Sequence, residues 1–204
     1  MSLPSDSTKK IDPRVKRTRN WIRQAFMELL SEKGFHATTV QDITKRAGIN
    51  RATFYAHFTD KYDLLNFAVR QAFKEELERR VLNACHYSTE NLRQLMLTVC
   101  EFVENHNRHC FNADQQFNAL IEEQIRTQIF DLVLHWLGGG TWPLRSVASP
   151  EQVATVVSWA IYGLAYQRNR MRPLPPAEAF VDQGLHLIAM LIGEQTKSTT
   201  TSSN

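Results

Sequence analysis

Little in this 204-residue chain invites chemistry. It has three cysteines, Cys85, Cys100 and Cys110, and they sit at no metal or redox spacing. So small and odd a number argues against a disulfide framework and for free thiols in a reducing compartment. The one glycine cluster, Gly138-Gly139-Gly140, follows no strand, so it reads as a loop and not as a nucleotide cradle. No Ser/His/Asp set and no paired carboxylates stand out, so no enzyme activity and no cofactor are expected. His106, His109 and Cys110 have the i, i+3, i+4 spacing of three ligands on one helical face. Isolated triplets of this kind are more often structural or exposed, and no metal site is assigned. Long apolar runs are missing too. The longest, Leu185 to Ile192, is too short to span a bilayer and contains His186. The opening MSLPSDSTKKIDPRVKR has no apolar core, so no secretory signal is visible. These absences predict a cytoplasmic protein with no membrane partner.

What is present is an ordinary globular composition, 43% apolar and 22% charged, with length enough for a real core. The net charge of +3 hides an asymmetry. Residues 1–83 carry 16 Lys and Arg against 10 Asp and Glu, whereas residues 84–204 carry 8 against 11. A basic first part joined to a mildly acidic second part suggests a polyanion partner for the first part alone. Charge by itself would equally suit a solvated basic face.

Nearly every segment has helical periodicity, so the expected fold class is all-α with about nine helices. From about Pro13 to Lys33, Ile22, Ala25, Phe26 and Leu29 form one stripe, which Gly34 ends as a left-handed cap. A short helix follows, with Val40, Ile43 and Ala47 on one face. Thr39-Val40-Gln41-Asp42 is its capping box and Gly48 its terminator. Asp60 caps a long helix over 61–82 with Leu64, Leu65, Ala68, Val69, Ala72 and Phe73 inward. Residues 83–90 read as a hinge. Further helices are expected over 89–106, 115–137, 150–170 and 177–194, with 107–114 irregular or a short turn of helix, a loop at 138–146 and a disordered Ser/Thr-rich tail at 196–204. Ser149-Pro150 starts the third of these four well, with Ser at the N-cap and Pro at the first helical position. The expected domains are 9–58, with 60–82 as a connecting helix, and 84–195.

One stretch resists this reading. In GINRATFYAHF (48–58), Phe54, Ala56 and Phe58 alternate with polar residues like a half-buried strand. No other segment reads as a strand, and an unpaired strand cannot satisfy its backbone. A helix capped by Asn50 resolves the conflict, joined to the preceding one by a Gly-containing turn: a helix-turn-helix unit. At about 100° per residue, Phe54 and Phe58 face inward. The outward arc holds Tyr55, Ala52, Ala56 and Thr53, with His57 at its edge. The alanines let the backbone approach another surface closely. Thr53 suits a thymine methyl or a base edge, Tyr55 and His57 suit flanking phosphates, and Arg51 is long enough for a guanine edge or a phosphate. That is the layout of a major-groove reader. An ordinary amphipathic helix would give the same buried face. Three features weigh against the plainer reading. The adjoining arm contains Lys9, Lys10, Arg14, Lys16, Arg17 and Arg19 against one acid, Asp12. Thr39 offers a hydroxyl at a helix N-terminus. Lys61 begins the next helix where it would suit a phosphate.

The run TTVQDITKRAGINRATFYAHFTDKYDLL (38–65) resembles the DNA-binding signature of the TetR/AcrR transcriptional regulators. It shares a Thr before the second helix, Ala-Gly-hydrophobic-Asn at the turn, the Phe-Tyr pair, His-Phe, then Lys and Leu. The resemblance covers roughly residues 15–67. It implies DNA contacts at Thr39, Arg51, Ala52, Thr53, Tyr55, His57 and Lys61, with Asn50 in place of the commoner Ser cap. It also implies an all-helical dimer with an N-terminal DNA-binding domain and a C-terminal domain for ligand binding and dimerisation. The expected function is a ligand-responsive regulator, a repressor released from a near-palindromic double-stranded DNA operator by a small apolar or amphipathic effector. The alternative is a constitutive DNA-bound factor that recruits a protein partner without a ligand.

In the second domain, the helix over 150–170 is apolar around most of its circumference. Val153, Val156, Val157, Ala160, Ile161 and Leu164 form one stripe, extended by Trp159, Tyr162, Gly163 and Tyr166. The last helix is similar, with Gly184, Leu185 and Ile188 among its apolar residues. Both are expected deep in one core or, preferably, in a helix-pair homodimer seam, where Gly163 and Gly184 permit close approach. Met96, Cys100, Phe102, Phe117, Phe130 and Trp136 are candidates to line an effector pocket, although plain core suits most of them.

Overall fold

The computed structural model describes residues 12–80, 86–110, 115–138 and 148–192, apart from the side chains of 106–110, 115–117 and 191. Lys9 and Lys10, residues 83–85 of the expected hinge, residues 139–146 of the expected loop, the tail from 196 and the side chains of His106, His109, Cys110 and Phe117 therefore lie outside the described residues. Eight helices and no strand occur among those described: α1 (Pro13–Ala37), α2 (Val40–Ala47), α3 (Arg51–Tyr55), α4 (Lys61–Arg80), α5 (Thr89–Cys110), α6 (Gln115–Gly138), α7 (Pro150–Arg170) and α8 (Ala177–Ile192). None of them is long and apolar enough to cross a membrane. The chain divides into two compact units, residues 1–76 with 104–125, and residues 77–103 with 126–204. Residues 61–76 of α4 lie in the first unit and its last turn in the second.

Helix boundaries follow local chemistry closely. Asp12 starts α1, its carboxylate accepting from the Arg14 N–H at 2.8 Å, with Pro13 in the first turn. Thr39 and Asp42 close a reciprocal capping box on α2, and Ser149 and Gln152 close another on α7. Asp60 Oδ1 accepts from both the Tyr62 and Asp63 amides at 2.8 Å, which nucleates α4. Gly48 ends α2 in the left-handed region (φ 67°, ψ 31°), a conformation that costs glycine little. Gly34 departs from expectation. Its φ of 77° is positive but its ψ of 173° is extended, and one more turn, Phe35 to Ala37, follows before the chain leaves α1. Helix α5 runs on to Cys110, so residues 107–110 follow the helical one of the two expectations for this stretch; Asn107-Arg108-His109-Cys110 contains no Gly or Pro to stop it.

The core of the first unit is aromatic. Phe26 meets Phe35 edge-on at 6.2 Å, Phe35 meets Tyr62 at 5.1 Å, and Phe58 lies 5.4 Å from Phe67 of α4. Ile22, Phe26, Ile43, Phe54, Leu64 and Phe73 are fully buried around this seam. Each such side chain contributes about 1.5–3 kcal/mol on burial, so three helices too short or too polar to persist alone are held by packing. In the second unit Leu92, Leu95 and Val99 of α5 are buried together with Ile129 and Val133 of α6, Val153, Val157 and Ile161 of α7, and Val181 and Ile188 of α8. Helices α7 and α8 pack directly on each other.

Candidate nucleic-acid interface

Helix α3 is five residues long and owes its geometry to its ends. Asn50 is the N-cap, and its side-chain oxygen accepts from the Thr53 N–H at 2.7 Å and the Thr53 hydroxyl at 3.0 Å. The helix proper stops at Tyr55, but the turn continues: the Ala56 amide donates to the Ala52 carbonyl and the Phe58 amide to the Phe54 carbonyl, both at 2.9 Å. Phe54 and Phe58 are consequently buried, one turn apart. The opposite side carries Arg51, Ala52, Tyr55 and Ala56, all exposed, with Thr53 and His57 half-buried at its margins. Tyr55 stands with 52% of its surface open, its ring edge-on to Phe54 at 5.4 Å. Because the Thr53 hydroxyl proton points at Asn50, the side chain offers its methyl and oxygen lone pairs outward. That combination suits a thymine methyl or a base-edge amino group.

Helix α2 presents its N-terminus differently from the expectation for Thr39. The Thr39 hydroxyl donates to Asp42 Oδ2 at 2.6 Å, and the Thr39 amide donates to the same oxygen at 2.9 Å. Lys33 Nζ adds an ion pair to that oxygen at 2.7 Å. The Lys33 ammonium, followed by the two Thr39 donors, holds the Asp42 carboxyl far below the usual carboxylate range. The Thr39 hydroxyl is thus engaged inside the capping box. A second tie, Arg46 of α2 bidentate to Glu32 of α1 at 2.8 and 2.7 Å, keeps the two helices in register.

Lys61 is the clearest departure. Placed at the start of α4 as a phosphate contact, it turns its ammonium inward and donates to the Phe35, His36 and Thr38 carbonyls at 3.1, 3.4 and 3.2 Å. The same nitrogen lies 4.4 Å from the Phe35 ring centroid. An ammonium has three donors and all three are engaged, so none is left for a phosphate in this arrangement. Burial lowers its pKa.

The basic arm is also reshaped. Arg14, Lys16, Arg17 and Arg19 lie on the first two turns of α1. Arg14, Lys16 and Arg17 are exposed, but the Arg19 guanidinium stacks over the rings of Phe67 (4.3 Å) and Phe58 (4.9 Å). It braces α1 against the segment after α3.

In the second unit the predicted seam separates into two sets. Trp159, Gly163 and Tyr166 are exposed on one face of α7. Tyr162, Gly184, Leu185 and Ile188 are buried. Gly184 serves packing within the chain: a Cβ there would stand 3.0 Å from Leu164 Cδ1 and 3.5 Å from Met96 Cε. Val156 of the expected apolar stripe is exposed, and α8 exposes Leu187 (61%) and Met190, two residues that were not among the expected seam residues. An all-round apolar helix carries no periodic signal to say which face points out. Arg126 of α6 lies 3.9 Å over the Trp159 ring and supports it from within the unit. Of the pocket candidates, Met96, Cys100, Phe102 and Trp136 are buried and Phe130 is half-buried.

Residues 22–67 match the profile of the bacterial regulatory proteins, tetR family. The chain is 39% identical over 74 residues to an uncharacterized HTH-type transcriptional regulator, YxbF of Bacillus subtilis; the match covers 36% of this chain and 20% of that protein. It is 28% identical over 175 residues to the HTH-type transcriptional activator FasR of Mycolicibacterium smegmatis, covering 79% of this chain and 77% of that one. The chain thus spans a fifth of the first relative and about three quarters of the second. The structure of Thermus thermophilus FadR, a TetR-family repressor in complex with lauroyl-CoA, superposes with a TM-score of 0.59 at 22% identity, over 88% of this chain and 97% of that one. The helix-turn-helix geometry and the profile match lead to one conclusion: residues 22–67 are a DNA-binding region of the kind found in the tetR family of bacterial regulatory proteins, on a chain whose all-helical fold resembles that of tetR-family structures.

Proposed function

We propose that this protein is a ligand-responsive, sequence-specific DNA-binding repressor that acts as a homodimer. The observation that carries the reading is the division of one short segment: Phe54 and Phe58 are buried, while Arg51, Ala52, Tyr55 and Ala56 stand open beside Thr53. Two small residues at the centre of a rim of hydrogen-bonding and cationic groups let the backbone enter a major groove. Arg51, Thr53, Tyr55 and His57 are the proposed contacts, with Asn50 holding Thr53 and the exposed Arg14, Lys16 and Arg17 adding attraction to phosphate.

The proposed dimer uses the exposed apolar face of α7 and α8, Val156, Trp159, Tyr166, Leu187 and Met190. Exposed side chains of this size on adjoining helices match the apolar core of a homodimer contact. Two copies would place their α3 helices about one helical turn of DNA apart. For the effector, the acyl-CoA esters named in the structures of Thermus thermophilus FadR and Bacillus subtilis FadR make an amphipathic acyl thioester the first ligand to test. An effector would weaken DNA binding by favouring a dimer whose reading heads no longer match the operator.

The test is a gel shift on the promoter regions adjoining this gene with wild type, Arg51→Ala and Thr53→Ala. Loss at Thr53 should depend on the base sequence of the site. Wild-type affinity in both variants would sink the proposed contact surface.

A further inference from the structure

We propose that Lys61 is a positioning residue for the reading head: it clamps the elbow between α1 and α2, and through it the angle of α3, without touching DNA. This rests on the DNA-binding reading above.

The argument starts from one peptide unit. The Thr38 carbonyl and the Thr39 N–H are two ends of the same planar group. Lys61 Nζ donates to that carbonyl at 3.2 Å, while Asp42 Oδ2 accepts from that N–H at 2.9 Å. The plane is therefore gripped on both sides, by α4 from one and by the first turn of α2 from the other. A rotation of this peptide would break one bond or the other. The remaining two Lys61 bonds grip the Phe35 and His36 carbonyls, the turn just after Gly34. Gly34 and the positions around it form the natural pivot, since the backbone there leaves helical geometry. The Thr38 side chain closes the elbow further, its hydroxyl donating to the Gly34 carbonyl at 2.7 Å, and the residue is fully buried.

From the elbow outward the assembly is stiff. The Ile49 amide returns to the Thr44 carbonyl at 3.0 Å, and Asn50 caps α3 directly after it. Ile43 and Phe54, fully buried, lie on the inner sides of α2 and α3. A turn of the 38–39 peptide therefore carries both helices together. Lys61 is the first residue of α4. Any displacement of the start of α4 reaches the reading head through this ammonium. A lysine fits the task because three carbonyls converge on one point; a planar arginine fork cannot meet all three.

The experiment uses the full chain and compares wild type, Lys61→Met and Lys61→Arg. Affinity for a promoter fragment and for unrelated DNA is measured by fluorescence anisotropy over a salt series, and amide hydrogen exchange is followed in the free proteins. Expected is a loss of about tenfold in specific affinity for both variants. Affinity for unrelated DNA and the salt slope should stay as in wild type, and amides 38–44 should exchange faster. A direct phosphate contact predicts otherwise: Lys61→Arg binds like wild type, and Lys61→Met lowers the salt slope by about 0.9. That outcome overturns the proposal, as does unchanged exchange at 38–44 in Lys61→Met. If wild type itself prefers no promoter sequence, the DNA-binding reading fails, and with it the proposed role in reading DNA. The exchange data then still say whether the clamp exists.

Discussion

Asn50 and Thr53 are bound to each other twice, through the Thr53 amide at 2.7 Å and the Thr53 hydroxyl at 3.0 Å, both onto the one Asn50 side-chain oxygen. The cap and a proposed base contact are therefore a single unit. Asn50→Ala should cost about 1 kcal/mol of stability, as caps do, and should also free the Thr53 hydroxyl to rotate. Operator discrimination should fall more than overall affinity. Asn50→Ser should retain most of both. Chemical denaturation paired with binding to matched and single-base-substituted operators measures the two effects, and intact discrimination in Asn50→Ala would separate cap from contact.

Ala56 is exposed and has ordinary right-handed backbone angles, φ −70° and ψ −17°. A larger side chain there disturbs nothing inside the unit. Ala56→Leu should leave thermal stability within about 0.5 kcal/mol and abolish operator binding by filling the space the backbone needs. Wild-type affinity in this variant would count against a close approach at α3.

The apolar face of α7 and α8 predicts an oligomeric change. Leu187→Lys places a charge on the most exposed large apolar side chain of the chain's described residues. Light scattering should report a monomer with unchanged helical content. A dimer that survives Leu187→Lys combined with Trp159→Ala would place the contact elsewhere.

Two glycines on the same helix pair should behave in opposite ways. At Gly163 an added side chain meets nothing within 4 Å, whereas at Gly184 it meets Leu164 and Met96. Gly184→Leu should destabilise the second unit by about 1–3 kcal/mol through overpacking. Gly163→Ala should stabilise the unassembled helix by about 0.5–1 kcal/mol. Urea unfolding in the Leu187→Lys background compares them free of assembly.

Acid should loosen the α1–α2 elbow before it affects the second unit's apolar core. The Asp42 carboxyl is depressed by the Lys33 ammonium and by Thr39, and Glu32 is depressed by Arg46. A depressed carboxylate lends stability that is complete above its unfolded value, about 4, and is lost as pH falls toward the folded value. Asp42→Asn should therefore be less stable at neutral pH and should show a shallower decline on acidification. An acid transition as steep as that of wild type would remove Asp42 from the account.

Much of the first unit was legible in the sequence because its signals are local. Asp12, Thr39, Asn50 and Asp60 cap helices there, as Ser149 does in the second unit, through bonds spanning two or three residues, and such bonds form wherever the sequence places them. The strand-like alternation in GINRATFYAHF yielded to the same logic, since Asn50 and Gly48 flank it with helix signals. The run of α5 to Cys110 stayed open between an irregular segment and a helical turn, because the polar residues there look like a loop by composition while containing no breaker.

Long-range choices were not legible. Arg19 and Lys61 carry identical charges to their exposed neighbours, and nothing near them in sequence announces Phe67, or the carbonyls of 35, 36 and 38. On α7 and α8, apolar residues surround the helix, so periodicity could not say that Leu187 and Met190 point out while Leu185 and Ile188 point in. The sequence by itself determined where helices start and stop and which short segment presents small residues between polar ones. Only the tertiary structure decided which cations are buried as braces and which apolar face is left open, because both depend on what the rest of the chain brings alongside.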